Sequence, residues 1–184
     1  MAPKKRSSIR DLSREGRSLP EIIAGDDHPS INADRATAIV RAADLESALE
    51  DALAFKMVDL SKRKYENLFT KELAPLRSFS AKIVVAHAFR IVGNNTLHDL
   101  TCIRLIRNAF AHARRPIWFE TEQISDECSK LVCIRHADSI KSRYRPLDTP
   151  KQQYLFATGH IDIALMALAQ PDLAEVFGPC IPLD

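Results

Sequence analysis

The chain has 184 residues, a formal net charge of +2 and 46% apolar residues. With a mean hydropathy of −0.17, this describes one domain, with or without tails, that has enough apolar side chains for a core. The charge is too mild to require a nucleic-acid partner by itself, and no apolar run reaches the roughly 18 residues that a bilayer crossing takes.

The first segment, "MAPKKRSSIRDLSREGR", sets Lys4, Lys5, Arg6, Arg10, Arg14 and Arg17 against only Asp11 and Glu15. It reads as a flexible basic tail, residues 1–28, ahead of a single helical domain at 29–184. No apolar stretch comes after the initial charges, so a secretory leader is not expected. Cys102, Cys128, Cys133 and Cys180 form no CxxC pair. A reduced, cytoplasmic setting with buried thiols is expected. Cys128, Cys133 and His136 match no common zinc spacing, and neither metal nor cofactor is expected.

Five glycines and little strand-like alternation predict an all-α helical bundle. Ser30 or Asn32 is a candidate cap for a helix from Ile31 to Leu60, with Ala36, Ile39, Val40, Ala43, Leu49 and Leu53 as its apolar stripe. "SKRKYENLFT" continues as a short helix or turn, and Pro75 breaks the segment "KELAPLRSFS". Ser78 or Ser80 starts a helix through "AKIVVAHAFRIV", which "GNN", Gly93 to Asn95, ends with left-handed backbone. Asn95 or Thr96 caps the next helix, which runs to about Ala113 ahead of Pro116. "IWF", residues 117–119, is extended, at most a short β pair. "TEQISDECSKLVCIRHADSI" begins as a helix, and "SRYRPLDTPKQ" is a loop. Thr149, Pro150 and Gln152 form a capping box for a last helix to about Gln170, before Pro171.

The helix around "CIRLIRNAFAHARRP", Cys102 to Pro116, holds the residues with chemistry. On a helical wheel Cys102, Ile103, Ile106, Ala109 and Phe110 fall on one side, and Arg104, Arg107, Asn108 and Ala111 on the other. Arg107 and His112 are five residues apart, about 140° on an ideal helix, with Asn108 between them. A fraying end at His112, or a second helix packed antiparallel from another copy, would close them into one site. Histidine exchanges protons near neutral pH, and arginine's fork of donors fits phosphate oxygens. Together with an asparagine they suit attack of a ribose 2′-hydroxyl on its own phosphodiester, without metal. The plainer reading is a solvated face ending in a basic turn, where Arg114 and Arg115 complement the helix dipole.

"RNAFAH", Arg107 to His112, resembles the R-x4-6-H motif of the HEPN superfamily, including the polar residue after the arginine. "LRSFSAKIVVAHAFRIVGNNTLHDLTCIRLIRNAFAHAR", Leu76 to Arg115, resembles the core of the mannitol operon repressor (MltR-like) family, and "DRATAIVRAADLESALEDAL", Asp34 to Leu53, is similar to its first long helix. The resemblance implies an all-α bundle, often dimeric, with the motif near the dimer interface. It implies a metal-independent endoribonuclease of toxin or defence type. Arg107 would contact the scissile phosphate, His112 would act as acid or base, and Asn108 would position them. Arg104, Arg114 and Arg115 are expected to bind substrate. MltR-like proteins are instead linked to transcriptional repression. The alternative expectation is therefore a non-enzymatic regulator that works through protein partners. RNA, a homodimer and an antitoxin or regulatory protein are the expected partners, and a membrane is not.

His87 and His98 are further candidates for the same site, with Asp99 as a partner or an early-turn acid. His136 and His160 have no accompanying motif. Trp118, Phe119 and Tyr154 read as core aromatics.

Overall fold

The computed structural model describes residues 8–14, 16, 29–135 and 147–169. Among the described residues a 3-10 turn, Ile9–Ser13, precedes six α-helices: α1 Pro29–Lys56, α2 Lys62–Tyr65, α3 Phe79–Ala88, α4 Asn94–His112, α5 Glu122–Cys128 and α6 Pro150–Ala169. A π turn, Glu66–Thr70, comes directly after α2. The fold is all-α, and no strand occurs among the described residues. Residues 117–119, expected to be extended, instead lead into a turn at Phe119 and Glu120, closed by Thr121 N–H donating to Trp118 O (3.0 Å). Two of these amides are held by side chains: Trp118 N–H donates to Thr121 Oγ1 (3.1 Å) and Phe119 N–H to Asp34 Oδ2 (3.2 Å).

Local side-chain chemistry sets several helix ends. Ser78 Oγ accepts the Ala81 amide at 3.2 Å and starts α3. At α6, Thr149 Oγ1 accepts from the Gln152 amide (3.2 Å) while Gln152 Oε1 accepts from the Thr149 amide (3.1 Å). This is the reciprocal capping box expected from the sequence. Other boundaries differ. α1 begins at Pro29 and ends at Lys56, short of Leu60. α3 stops at Ala88 in a Schellman closure, with Ile91 N–H donating to Ala86 O (2.9 Å) and Arg90 N–H to His87 O (3.0 Å). The left-handed residue is Arg90, φ 57°, not one of Gly93 to Asn95. Gly93 is extended (φ −86°) and caps α4, whereas Asn95 and Thr96 lie inside the helix. The expected end of the last helix, Gln170 and Pro171, and the first part of the expected loop before it, residues 142–146, lie outside the described residues, as do Cys180 and His136.

α1 buries Ala38, Ala42, Leu45, Leu49, Ala52 and Leu53, spaced as one helical stripe. This stripe is rotated from the expected one: Val40 is 55% exposed, and Ala36 and Ala43 also face solvent. Apolar residues surround α1, so tertiary contacts decide which of them are covered. α6 runs parallel to α1, since Lys151 pairs with Asp34 (2.7 Å) and the Tyr154 hydroxyl donates to Ala38 O (2.8 Å), each contact advancing along both helices. Phe119 packs between Phe110 (5.0 Å) and Tyr154 (5.2 Å) with tilted rings and joins α4 to α6. Trp118, expected in the core, is 44% exposed.

Part of the expected tail belongs to the core. Leu12 is fully buried and Ile9 is 9% exposed, both packed with the helices. The turn lies against α4 and α5. Asp11 secures its start, its Oδ2 accepting from Ser8 N–H (2.8 Å) and Ser8 Oγ–H (2.9 Å).

Cys102, Cys128 and Cys133 are buried and free. Burial pushes the Cys102 and Cys128 thiols up to about 12 and raises Cys133 as well, with Glu127 or Asp99 adding to the effect. Because the thiolate is the reactive form, all three should resist a thiol-disulfide reagent at pH 8 in native Cys180→Ser protein and react fully after denaturation. Rapid native labelling would contradict the packing.

Candidate functional site: a cationic pocket on α4

α4 is held at both ends. Near its start, buried Asp99 accepts from the amides of Val132 (2.7 Å) and Cys133 (2.8 Å), tying α4 to the segment after α5. At its end, Arg35 Nη2 of α1 donates to Ala113 O (3.2 Å). That bond satisfies a terminal carbonyl and places a cation at the negative end of the helix dipole. Cys102, Ile103, Ile106, Ala109 and Phe110 are all buried, as the wheel predicts. The polar arc therefore faces away from the core.

That arc is divided. Arg104, Asn108 and His112 stand four residues apart on one ridge and line a pocket of about 320 Å³. Arg10, Ser13 and Arg14 of the N-terminal turn form its opposite wall. Ile9, Leu105 and Ala109 give it an apolar floor. Arg107 lies on the other edge of the arc and does not line the pocket. Its Nη1 donates to Asn108 Oδ1 at 3.0 Å, and its charge reaches towards Tyr154, whose phenol burial pushes up. Within one chain Arg107 and His112 thus stand on different edges of the arc, with Asn108 bonded to Arg107 and sharing the pocket with His112, in agreement with their wide angular separation. Engaging the amide oxygen leaves the Asn108 NH₂ for the pocket. Arg114 and Arg115 lie beyond the helix end and do not line the pocket.

The pocket is strongly cationic. Three of its lining residues are arginines and none is acidic. The 3.9 Å pair of Arg14 with Asp11 is solvent-exposed, and such pairs contribute about 0–1 kcal/mol. Arg10, Ser13 and Arg14 are additions to the residues expected here. Their signal is local: "SSIRDLSR" puts Ile9 and Leu12 three residues apart, the period of a 3-10 turn, after a Ser8/Asp11 capping pair.

The other candidates stand elsewhere. His98 Nε2 lies 3.2 Å from Lys130 O, about 21 Å along α4 from His112. His87 Nδ1 lies 3.1 Å from Val92 O. Asp99 is structural. The His160 ring stacks on Phe156 at 5.6 Å. Among the described residues no group of three His, Cys, Asp or Glu side chains is placed to hold a metal ion, and no helix is long and apolar enough to cross a membrane.

Fold and site together define an all-α domain with a cationic pocket on the polar face of one helix. No family model matches the chain, and neither a curated protein nor a solved structure does.

Proposed function

We propose that the chain is an RNA-cleaving domain of the HEPN type that works without metal through the Asn108/His112 face of α4. One observation carries this reading. Asn108 and His112 of the "RNAFAH" motif share a pocket with three arginines and no acidic residue, which suits a phosphodiester and not a cationic ligand. In this reading His112 accepts the proton of the ribose 2′-hydroxyl as its oxygen bonds to phosphorus. The bond to the 5′-oxygen breaks, and that oxygen takes a proton from water. The products are a 2′,3′-cyclic phosphate and a 5′-hydroxyl. Arg104 supplies the phosphate fork in the same chain, and Arg107 positions Asn108.

A homodimer fits the same reading. The turn at Ile9–Ser13 occupies the His112 edge of α4, so a second copy would approach along the Arg107/Ala111 edge, where Ala111 is small and exposed.

The test is incubation of purified protein with varied single-stranded RNAs in EDTA. Cleavage of RNA but not of the matching DNA, which lacks the 2′-hydroxyl, is expected. No cleavage across varied RNAs would favour a non-enzymatic regulator.

A further inference from the structure

We infer that the N-terminal turn is one half of a phosphate-binding site, in which Arg10 and Arg14, facing Arg104, hold the backbone of a single-stranded nucleic acid laid along α4. The inference rests on the proposed function only for the identity of the chain bound.

Four observations support it. First, Arg10, Arg14 and Arg104 line one pocket with no acidic residue among the lining residues. Like charges gathered this way favour an anionic ligand, and arginine's planar fork fits phosphate oxygens in pairs. Second, the turn is anchored: Leu12 is fully buried and Asp11 is turned onto Ser8. The arginines therefore project from a fixed wall, and less ordering is left to be done on binding. Third, the charge must come from these side chains. The pocket lies at the C-terminal end of α4, where the helix dipole is negative and opposes an anion. Fourth, the ridge from Arg104 to His112 is about 12 Å long. At about 3.4 Å per nucleotide along a stacked strand, it spans roughly three phosphates. The apolar floor of Ile9, Leu105 and Ala109 gives sugars or bases a surface between them.

The test measures binding and not cleavage. A labelled 2′-O-methyl RNA decamer, which cannot be cut by its own 2′-oxygen, and inorganic pyrophosphate are titrated against the full chain at several salt concentrations. The R10A/R14A variant should bind the decamer at least tenfold more weakly. Its slope of log affinity against log salt should be shallower by about 1.4, which is about 0.7 for each phosphate that the two arginines no longer neutralise. K62A/R63A, which removes two exposed charges from α2, should leave both unchanged. Arg10 and Arg14 are exposed, so melting temperatures should match. Leu12→Asp, which detaches the turn, should reproduce the weaker binding. Decamer binding by R10A/R14A with wild-type affinity and slope overturns the inference, even if RNA is cleaved. Pyrophosphate binding that depends on these arginines, without decamer binding, overturns the nucleic-acid assignment. Arginine-dependent decamer binding with natural RNA left uncut supports the inference and removes the proposed function alone.

Discussion

Lys82→Met is expected to destabilise the fold by about 3 kcal/mol. Lys82 is only 5% exposed, and its Nζ sits 2.9 Å from Glu46 Oε1 and 2.7 Å from Glu50 Oε2, bridging α3 to α1. The Tyr65 hydroxyl donates to the same Glu50 carboxylate. Burial alone would lower the Lys82 ammonium, but the hydrogen bonds it donates to Glu50 and Glu46 outweigh it and hold it above 10.5. Its stabilising contribution is therefore complete below pH about 10.5 and is lost only as pH rises through the folded value. Methionine keeps the length but leaves two carboxylates facing each other one helical turn apart. Removing one partner of a buried ion pair costs about 3–5 kcal/mol. The lower figure applies because the Glu46 and Glu50 side chains remain 20% and 17% exposed. For a chain of this size the melting temperature should fall by about 6–12 °C. Adding Glu46→Gln and Glu50→Gln should restore part of the stability. Calorimetry at pH 7 decides it, and an unchanged melting temperature would contradict the network.

His112→Ala is expected to lower RNA cleavage by about 10²–10⁴, the usual contribution of one positioned acid–base group. His112 is exposed at the last turn of α4 and buries no core surface, so thermal stability should stay within about 0.5 kcal/mol of wild type. Arg107→Lys should also lose activity, through a different route. Lysine carries a flexible point charge in place of the planar guanidinium whose Nη1 donates to Asn108 Oδ1, so the asparagine loses its orientation. Its effect should vanish in an Asn108→Ala background, whereas that of His112→Ala should persist there. Equal activity of wild type and His112→Ala in quenched time courses would assign any cleavage to a contaminating nuclease.

The features legible in the sequence are those fixed by short-range chemistry. Ser78 and the Thr149/Gln152 box cap their helices because a side chain and an amide three residues away meet whatever the tertiary fold. The wheel of the C-terminal half of α4 is also readable, because its basic residues and most of its apolar ones fall on opposite sides, whereas buried Asp99 near the start breaks the pattern. The buried face of α1 is not, because alanine, valine and isoleucine lie all round it, so only packing selects Ala38, Ala42 and Leu45 over Ala36, Val40 and Ala43. Lys82 gives no local signal because its partners, Glu46 and Glu50, are more than thirty residues away. The pocket wall is hidden for the same reason. Basic residues dominate the N-terminus, and the two apolar residues that anchor it, Ile9 and Leu12, need a surface on α4 nearly a hundred residues later. The wide angle between Arg107 and His112 is plain from the helical period alone. The role of the ridge that joins Arg104 to Asn108 and His112 emerges only once the N-terminal turn faces it.

The most direct measurement is the end chemistry of cleaved RNA. Wild-type protein and His112→Ala are incubated side by side with 5′-labelled single-stranded RNA in EDTA, and the product ends are identified by mass. A 2′,3′-cyclic phosphate formed by wild type and absent with His112→Ala is the predicted result. Uncut RNA, a 3′-hydroxyl end, or cyclic ends that persist without His112 would contradict it.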